Sequence, residues 1–263
     1  HAAFGLLGWM TLTAFGVSYR LFAMFMLAPE GGRTAGRPVL WFAVAALVAL
    51  AITLCATVGD LPPLASVPAL ALALMLAAVG LYCRDVAHLY RARRRKVLEL
   101  NTGASLIALG YLLAALALMV AAGLSQDPAR LAATSVYLLV FGWLTGLGLG
   151  QLYKIVPFLT WLECYGPVMG KTPVPRVQDL VNENRASLWF WLHFMSVAAA
   201  AISLLIGDIM AFRAVCACQG VAVIGLVFEY VQARRLSCAA PAIRLPGGAT
   251  RPHLIIPHIQ TRR

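Results

Sequence analysis

Charge is what this 263-residue sequence has least of: 12% of its residues are charged and only 10 are acidic, against 61% apolar. An ordinary soluble domain is about a quarter charged and about half apolar. A chain of this size could not hide so much apolar surface and still present a charged exterior to water. Soluble enzyme, disulfide scaffold and disordered linker are excluded together. The six cysteines (Cys55, Cys83, Cys164, Cys216, Cys218 and Cys238) form no pair of C-x-x-C motifs, so a zinc-type site is missing as well. Cys216 and Cys218, two apart on a helix, point to different faces, and cysteine here reads as a small buried hydrophobe. No nucleophile–base constellation, phosphate loop or carboxylate pair supports a hydrolase or kinase. Met is missing at position 1. His1 opens directly onto an apolar run, without the n-region or cleavage site of a signal peptide, so the expectation is a sequence that starts partway through a longer protein.

What is present is seven apolar stretches, 3–28, 38–58, 64–83, 103–123, 131–157, 187–206 and 211–231. Each is near the 20 or so residues that span a hydrocarbon core roughly 30 Å thick. The runs are continuous and rich in Ala and Leu, without the period-two alternation of strands. Turn residues separate them, as in Pro29-Glu30-Gly31-Gly32, Gly59-Asp60-Leu61-Pro62-Pro63, Ser125-Gln126-Asp127-Pro128 and Gly207-Asp208. The fold class expected is all-α: a polytopic transmembrane bundle over 1–236, embedded in the lipid bilayer, followed by a basic tail, 237–263, with Pro241, Pro246, Pro252 and Pro257.

Seventeen of the 21 basic residues fall in one alternate set of segments, around 33–37, 84–96, 171–185 and 234–263. The other loops hold Arg130 alone, together with Asp60, Asp127 and Asp208. By the positive-inside rule the first residue lies outside and the tail is cytoplasmic. The net charge of +11 is thus read as a topology signal at span ends and not as a nucleic-acid surface. Anionic lipid is the other partner considered for Arg91–Lys96, at about 1 kcal/mol per basic residue.

The first and fifth spans match at an offset of 134. Gly8-Trp9-Met10-Thr11, Gly16 and Tyr19-Arg20 correspond to Gly142-Trp143-Leu144-Thr145, Gly150 and Tyr153-Lys154, giving G-W-x-T-x4-G-x2-Y-[R/K]. Ala78-Val79-Gly80-Leu81 is echoed more weakly by Val223-Ile224-Gly225-Leu226. Spans one and five run the same way, so the pattern implies a parallel repeat of four helices. Its glycines suit close helix approach. Arg20 has to snorkel or find a partner, and Pro157 is expected to kink or stop its helix. The structural reading is packing and anchoring; the functional alternative makes Arg20 and Lys154 contacts for a buried anion such as a propionate or carboxylate. Of the histidines, His193 lies about 9 Å into the membrane from the cytoplasmic side. His1 lies at the outer end of span one, so the two cannot share a metal or sandwich a haem. His193, near Trp189 and Trp191, reads more readily as an interhelical hydrogen-bonding group than as a ligand.

His1-Ala2-Ala3-Phe4-Gly5-Leu6-Leu7-Gly8-Trp9 with Phe15-Gly16-Val17-Ser18-Tyr19-Arg20 resembles a helix of bacterial membrane proteins related to haem–copper oxidase subunit I, including the NnrS group. Tyr153-Lys154-Ile155-Val156-Pro157-Phe158-Leu159 with Tyr165-Gly166-Pro167 is similar to a second motif of those proteins. The resemblance implies a fold of twelve helices in three four-helix arcs, with the present spans as the sixth to twelfth, in a bacterial cytoplasmic membrane. It also implies histidines for haem and copper on the equivalents of spans one, two and five. Here only His1 is suitably placed: position 3 is Ala3, Ser135 stands opposite His1, and spans two and five hold no histidine. A six-coordinate haem needs two axial side chains, and a copper site usually three imidazoles.

Three functions follow. The first is an accessory or scaffold subunit of a respiratory or photosynthetic electron-transfer complex, held among other membrane subunits. The second is a haem- or copper-binding redox or sensor protein, with His1 as metal ligand. The third is a transporter. Polar residues within the spans are Arg20, Gln151, Lys154, Gln219 and Glu229, mostly near ends, without midplane carboxylates or broken helices, and the transporter ranks last.

Overall fold

The computed structural model describes residues 3–28, 36–59, 66–94, 98–241, 244–245 and 252. Every regular element among the described residues is helical, as a bilayer demands, because lipid offers no partner to an unpaired backbone N–H or C=O. The first is a π-helical segment, Phe4–Thr11, running into α1, Leu12–Met26. Then come α2 (Arg37–Val58), α3 (Ser66–Arg91), α4 (Leu100–Leu124) and α5 (Pro128–Tyr137). A second π segment, Leu138–Thr145, leads into α6, Gly146–Tyr165. The last long helices are α7 (Glu183–Ile206) and α8 (Ile209–Arg234).

Among the described residues, six helical stretches meet the length and hydropathy needed to cross a membrane, and the chain is a multi-pass membrane protein. The expected first span is helical without a break over Phe4–Met26, its π segment running directly into α1. Elsewhere the helices outrun the apolar windows. The stretch expected at 131–157 is helical over Pro128–Val168, and that expected at 64–83 continues to Arg91. Hydropathy stops at the first charges, whereas the hydrogen-bond ladder continues through them. Pro157 does not end its helix but lies inside α6. The bond it deletes is the one to the carbonyl of Tyr153, four residues earlier, and a helix embedded among others tolerates such a loss.

The chain divides into two compact units, His1–Leu98 with Leu113–Ser135, and Glu99–Leu112 with Val136–Arg263. In the first, α2 and α3 form an antiparallel hairpin against which α1 packs. Tyr82 of α3 is the hub: its ring stacks on Phe15 with centroids 4.1 Å apart, and its hydroxyl lies 2.6 Å from Ser18 Oγ. One turn on, the Tyr19 hydroxyl donates to Asp85 Oδ2 at 2.9 Å. Ser135 closes onto the carbonyl of Ala115 at 2.7 Å.

In the second unit α7 and α8 form the hairpin, with α6 packed against α8. Small residues set the helix spacing. A Cβ added at Gly142 would lie 2.6 Å from Tyr111 Cβ, and one at Gly146 would lie 2.7 Å from Phe194 Cε1. The Tyr111 hydroxyl donates to the carbonyl of Phe194 at 2.6 Å. Trp189 covers Gly225 on α8.

The two π segments begin 134 residues apart and end 134 apart. Each closes on the same side-chain bond, Thr11 Oγ1 to the carbonyl of Leu6 at 2.8 Å and Thr145 Oγ1 to that of Val140 at 2.9 Å. Their tryptophans differ: Trp9 is 78% exposed, whereas Trp143 is fully buried.

Gly225→Ala forces Trp189 to move and is expected to destabilise the protein by about 1–3 kcal/mol. Gly220→Ala on the same helix meets nothing within 4 Å and is expected to be neutral or slightly stabilising. Thermal unfolding of the detergent-solubilised protein checks the pair.

Candidate functional site

The second unit concentrates its polar side chains at one end, where α4 and α7 begin and α6 and α8 finish. Gly150 brings α4 and α6 together there: a Cβ added to it would lie 3.2 Å from Ala104 Cβ and 3.4 Å from the carbonyl of Asn101. The two helices are then joined by polar contacts. Lys154 Nζ lies 2.9 Å from Glu99 Oε1 and 2.8 Å from Oε2. One turn deeper, Gln151 Nε2 donates to Ser105 Oγ at 2.8 Å, and that hydroxyl donates to the carbonyl of Asn101 at 2.7 Å.

Two further ion pairs tie the same end. Arg185 grips Glu229 with two donors, Nε on Oε1 and Nη2 on Oε2, the latter at 2.8 Å. Only 2% of the Glu229 side chain is exposed. Arg234 joins α8 to α6 through Glu163 at 2.7 Å and Thr160 at 3.2 Å. Beneath them Cys164, Tyr165, Val168, Leu180, Leu236 and Ala239 form a buried apolar cluster. The start of the expected tail therefore packs as part of the fold, and the Tyr165 hydroxyl donates to the carbonyl of Arg244 at 2.6 Å. The later part, 246–251 and 253–263, lies outside the described residues.

Between α4, α6 and the loop preceding α7 is a small cleft of about 50 Å³, lined on its polar side by Glu99, Asn101, Tyr153, Lys154, Gln178 and Glu183. Two of these residues carry a buried oxygen without a hydrogen-bond partner in the protein, Asn101 Oδ1 and the Tyr153 hydroxyl. Both residues are deeply buried, 2% and 6% exposed. The Tyr153 ring is held edge-on to Phe190, centroids 5.8 Å apart.

Lys154 and His193 belong to this unit and Arg20 to the first; His1 lies outside the described residues. Arg20 is exposed on α1. His193 is fully buried, with Nε2 3.2 Å from the carbonyl of Phe141 and Nδ1 without a partner. Its ring meets Phe194 edge-on at 5.2 Å, and Phe194 in turn fills the space over Gly146. A haem does not fit at this imidazole without displacing that packing. Among the described residues, no group of three or more His, Cys, Asp or Glu side chains is placed to hold a metal.

Tyr153 was singled out with Lys154 in the repeated motif, whereas Glu99, Asn101 and Glu183, which also line the cleft, were not singled out by spacing. Their one signal is position, since polar residues crowd the starts of α4 and α7. No family model, no curated protein and no solved structure matches the chain.

Arg185→Met leaves the buried Glu229 carboxylate uncompensated and is expected to cost about 2 kcal/mol, less than for a fully enclosed pair because Arg185 is 43% exposed. Arg185→Met/Glu229→Met is expected to recover most of that loss. A double-mutant cycle read by thermal unfolding measures the coupling.

Proposed function

We propose that the chain is an integral membrane subunit of the haem–copper oxidase subunit I type, serving as a scaffold or accessory component of a bacterial respiratory or photosynthetic electron-transfer complex. The observation that carries this reading is the pair of π segments, Phe4–Thr11 and Leu138–Thr145, with equivalent threonine-to-carbonyl bonds. They fall on the G-W-x-T motif that repeats at the same offset, and they favour a parallel four-helix repeat of the kind a subunit I-like arc would leave. The exposed apolar side chains of α2, among them Trp41, Val48 and Ile52, suit lipid or neighbouring membrane subunits. A scaffold role accords with His193, whose surroundings are filled by protein. In this reading the basic segments at 84–96, 171–185 and beyond 234 are cytoplasmic and the first residue is outside, in the bacterial cytoplasmic membrane.

Purification of the tagged chain from its native membrane in mild detergent tests the role. Co-elution with haem-bearing membrane subunits is expected, with no Soret absorbance retained by the chain once it is separated from them. Elution alone, without such partners, overturns the proposal; a Soret band or stoichiometric copper on the separated chain favours a redox protein instead. Orientation is checked separately: a cytoplasm-active reporter fused after Lys96 is expected to be active, and one fused after Asp127 inactive.

A further inference from the structure

The first copy of the repeated motif leaves open a helix face that the second copy fills. On α6, Gly150, Gln151 and Lys154 all meet α4. A Cβ added at Gly150 would lie 3.2 Å from Ala104 Cβ, Gln151 Nε2 donates to Ser105 Oγ at 2.8 Å, and Lys154 Nζ lies 2.9 Å from Glu99 Oε1. Trp143 and Leu147, earlier on the same helical stretch, are buried as well. The equivalents 134 residues before these are Trp9, Thr13, Gly16, Val17 and Arg20, and every one of them is exposed. A Cβ added at Gly16 would meet nothing within 4 Å. Spaced three or four residues apart, these positions form one stripe along the helix, about 16 Å long at 1.5 Å per residue. Gly8, just before the stripe, is covered by its own chain, Leu47 lying 3.2 Å from an added Cβ. The open part of the face therefore runs from Trp9 to Arg20.

We propose that the Trp9–Arg20 face seats a transmembrane helix of another membrane subunit, one that carries a small residue opposite Gly16 and a carboxylate within reach of Arg20. The second copy supplies the template: α4 sets Ala104 against Gly150 and Glu99 against Lys154. Small residues facing one another let two backbones approach closely where no hydrophobic force drives helices together. A carboxylate near the membrane needs a cationic partner. A guanidinium has five donors, so Arg20 can take that carboxylate in addition to any contact within its own chain. Acyl chains would coat the stripe as well. What favours a helix is that the motif's glycine and basic residue are the two positions a neighbouring helix engages in the second copy. A second copy of this chain fits poorly, because a two-fold parallel pairing on this stripe sets Arg20 against Arg20. The inference rests on the scaffold reading, in which other membrane subunits surround the chain.

The test places a photoreactive benzophenone amino acid at Val17 of the full chain in its native membrane and identifies the cross-linked peptide by mass spectrometry. The expected product is a transmembrane segment of another protein, with Gly, Ala or Ser at the contact and an Asp or Glu roughly one to two turns away. Arg20→Glu is expected to lower the cross-linking yield about tenfold, and exchange of that acid for Arg on the partner is expected to restore it. Gly16→Leu is expected to abolish the cross-link while leaving the Tm of the isolated chain unchanged, because its own chain leaves that space open. Gly150→Leu, whose added atoms meet Ala104 and Asn101, lowers Tm. A cross-link to lipid alone, to a second copy or to another part of the same polypeptide overturns the proposal, as does a yield indifferent to both Arg20→Glu and Gly16→Leu. If no such helix is captured while haem-bearing subunits still co-elute, this interface fails and the scaffold role stands. A captured, charge-rescued helix from a complex without haem supports the interface and overturns the electron-transfer role.

Discussion

Lipid cannot hydrogen-bond, and the rest of this structure follows from that constraint. It makes every regular element among the described residues a helix and allows the helices to be apolar on their outward faces. It also favours a partner within the protein for the polar side chains carried into the bundle. Tyr111 finds the carbonyl of Phe194, Tyr230 that of Leu149, and Ser135 that of Ala115. These bonds go to backbone oxygens that already serve the helical ladder and retain a second lone pair, so they join helices without disturbing them.

Charge obeys the same rule more strictly. Glu229 and Glu163 on the second unit each meet an arginine from another helix, and Glu99 meets Lys154. Together the pairs link α4 to α6, α7 to α8 and α6 to α8 at one end of that unit. Ion pairs of this kind add modest net stability once desolvation is counted. Their larger effect is on register: Arg185 reaches Glu229 with both donors only when α7 and α8 are correctly aligned along their axes. The glycines act in the same direction. Gly142, Gly146 and Gly225 each accept an aromatic side chain from a neighbouring helix, and a helix sliding by one residue would bring a Cβ into that ring.

How much of this was legible in the sequence depends on the range of the interaction. Helical class and approximate spans follow from local composition, because apolar run length is a local property. Helix ends follow less well: α3 continues to Arg91 and α6 passes through Pro157, since solvated charges and a single proline perturb hydropathy more than the backbone ladder. The candidate site was largely hidden. Lys154 drew notice as half of a Tyr-basic pair, but its partner Glu99 lies 55 residues away, and Arg185 and Glu229 are 44 apart. No spacing rule reaches across such separations without knowing which helices adjoin. His193 shows the reverse: it stood out as a lone imidazole in an apolar run, and the structure gives it a backbone carbonyl and an aromatic wall.

The two copies of the sequence motif differ in what their tyrosines meet. In both, a π segment ends on a threonine bonded five residues back, and a tyrosine follows eight residues later. In the first unit that tyrosine, Tyr19, is satisfied by Asp85 and packs edge-on against Tyr82 at 5.6 Å. In the second, Tyr153 keeps the aromatic contact through Phe190, but its hydroxyl finds no partner in the protein. The Glu229 carboxylate on α8 is held by Arg185. One tyrosine thus closes an interhelical bond through its hydroxyl, whereas the other is placed by its ring packing and buries its hydroxyl without a protein partner.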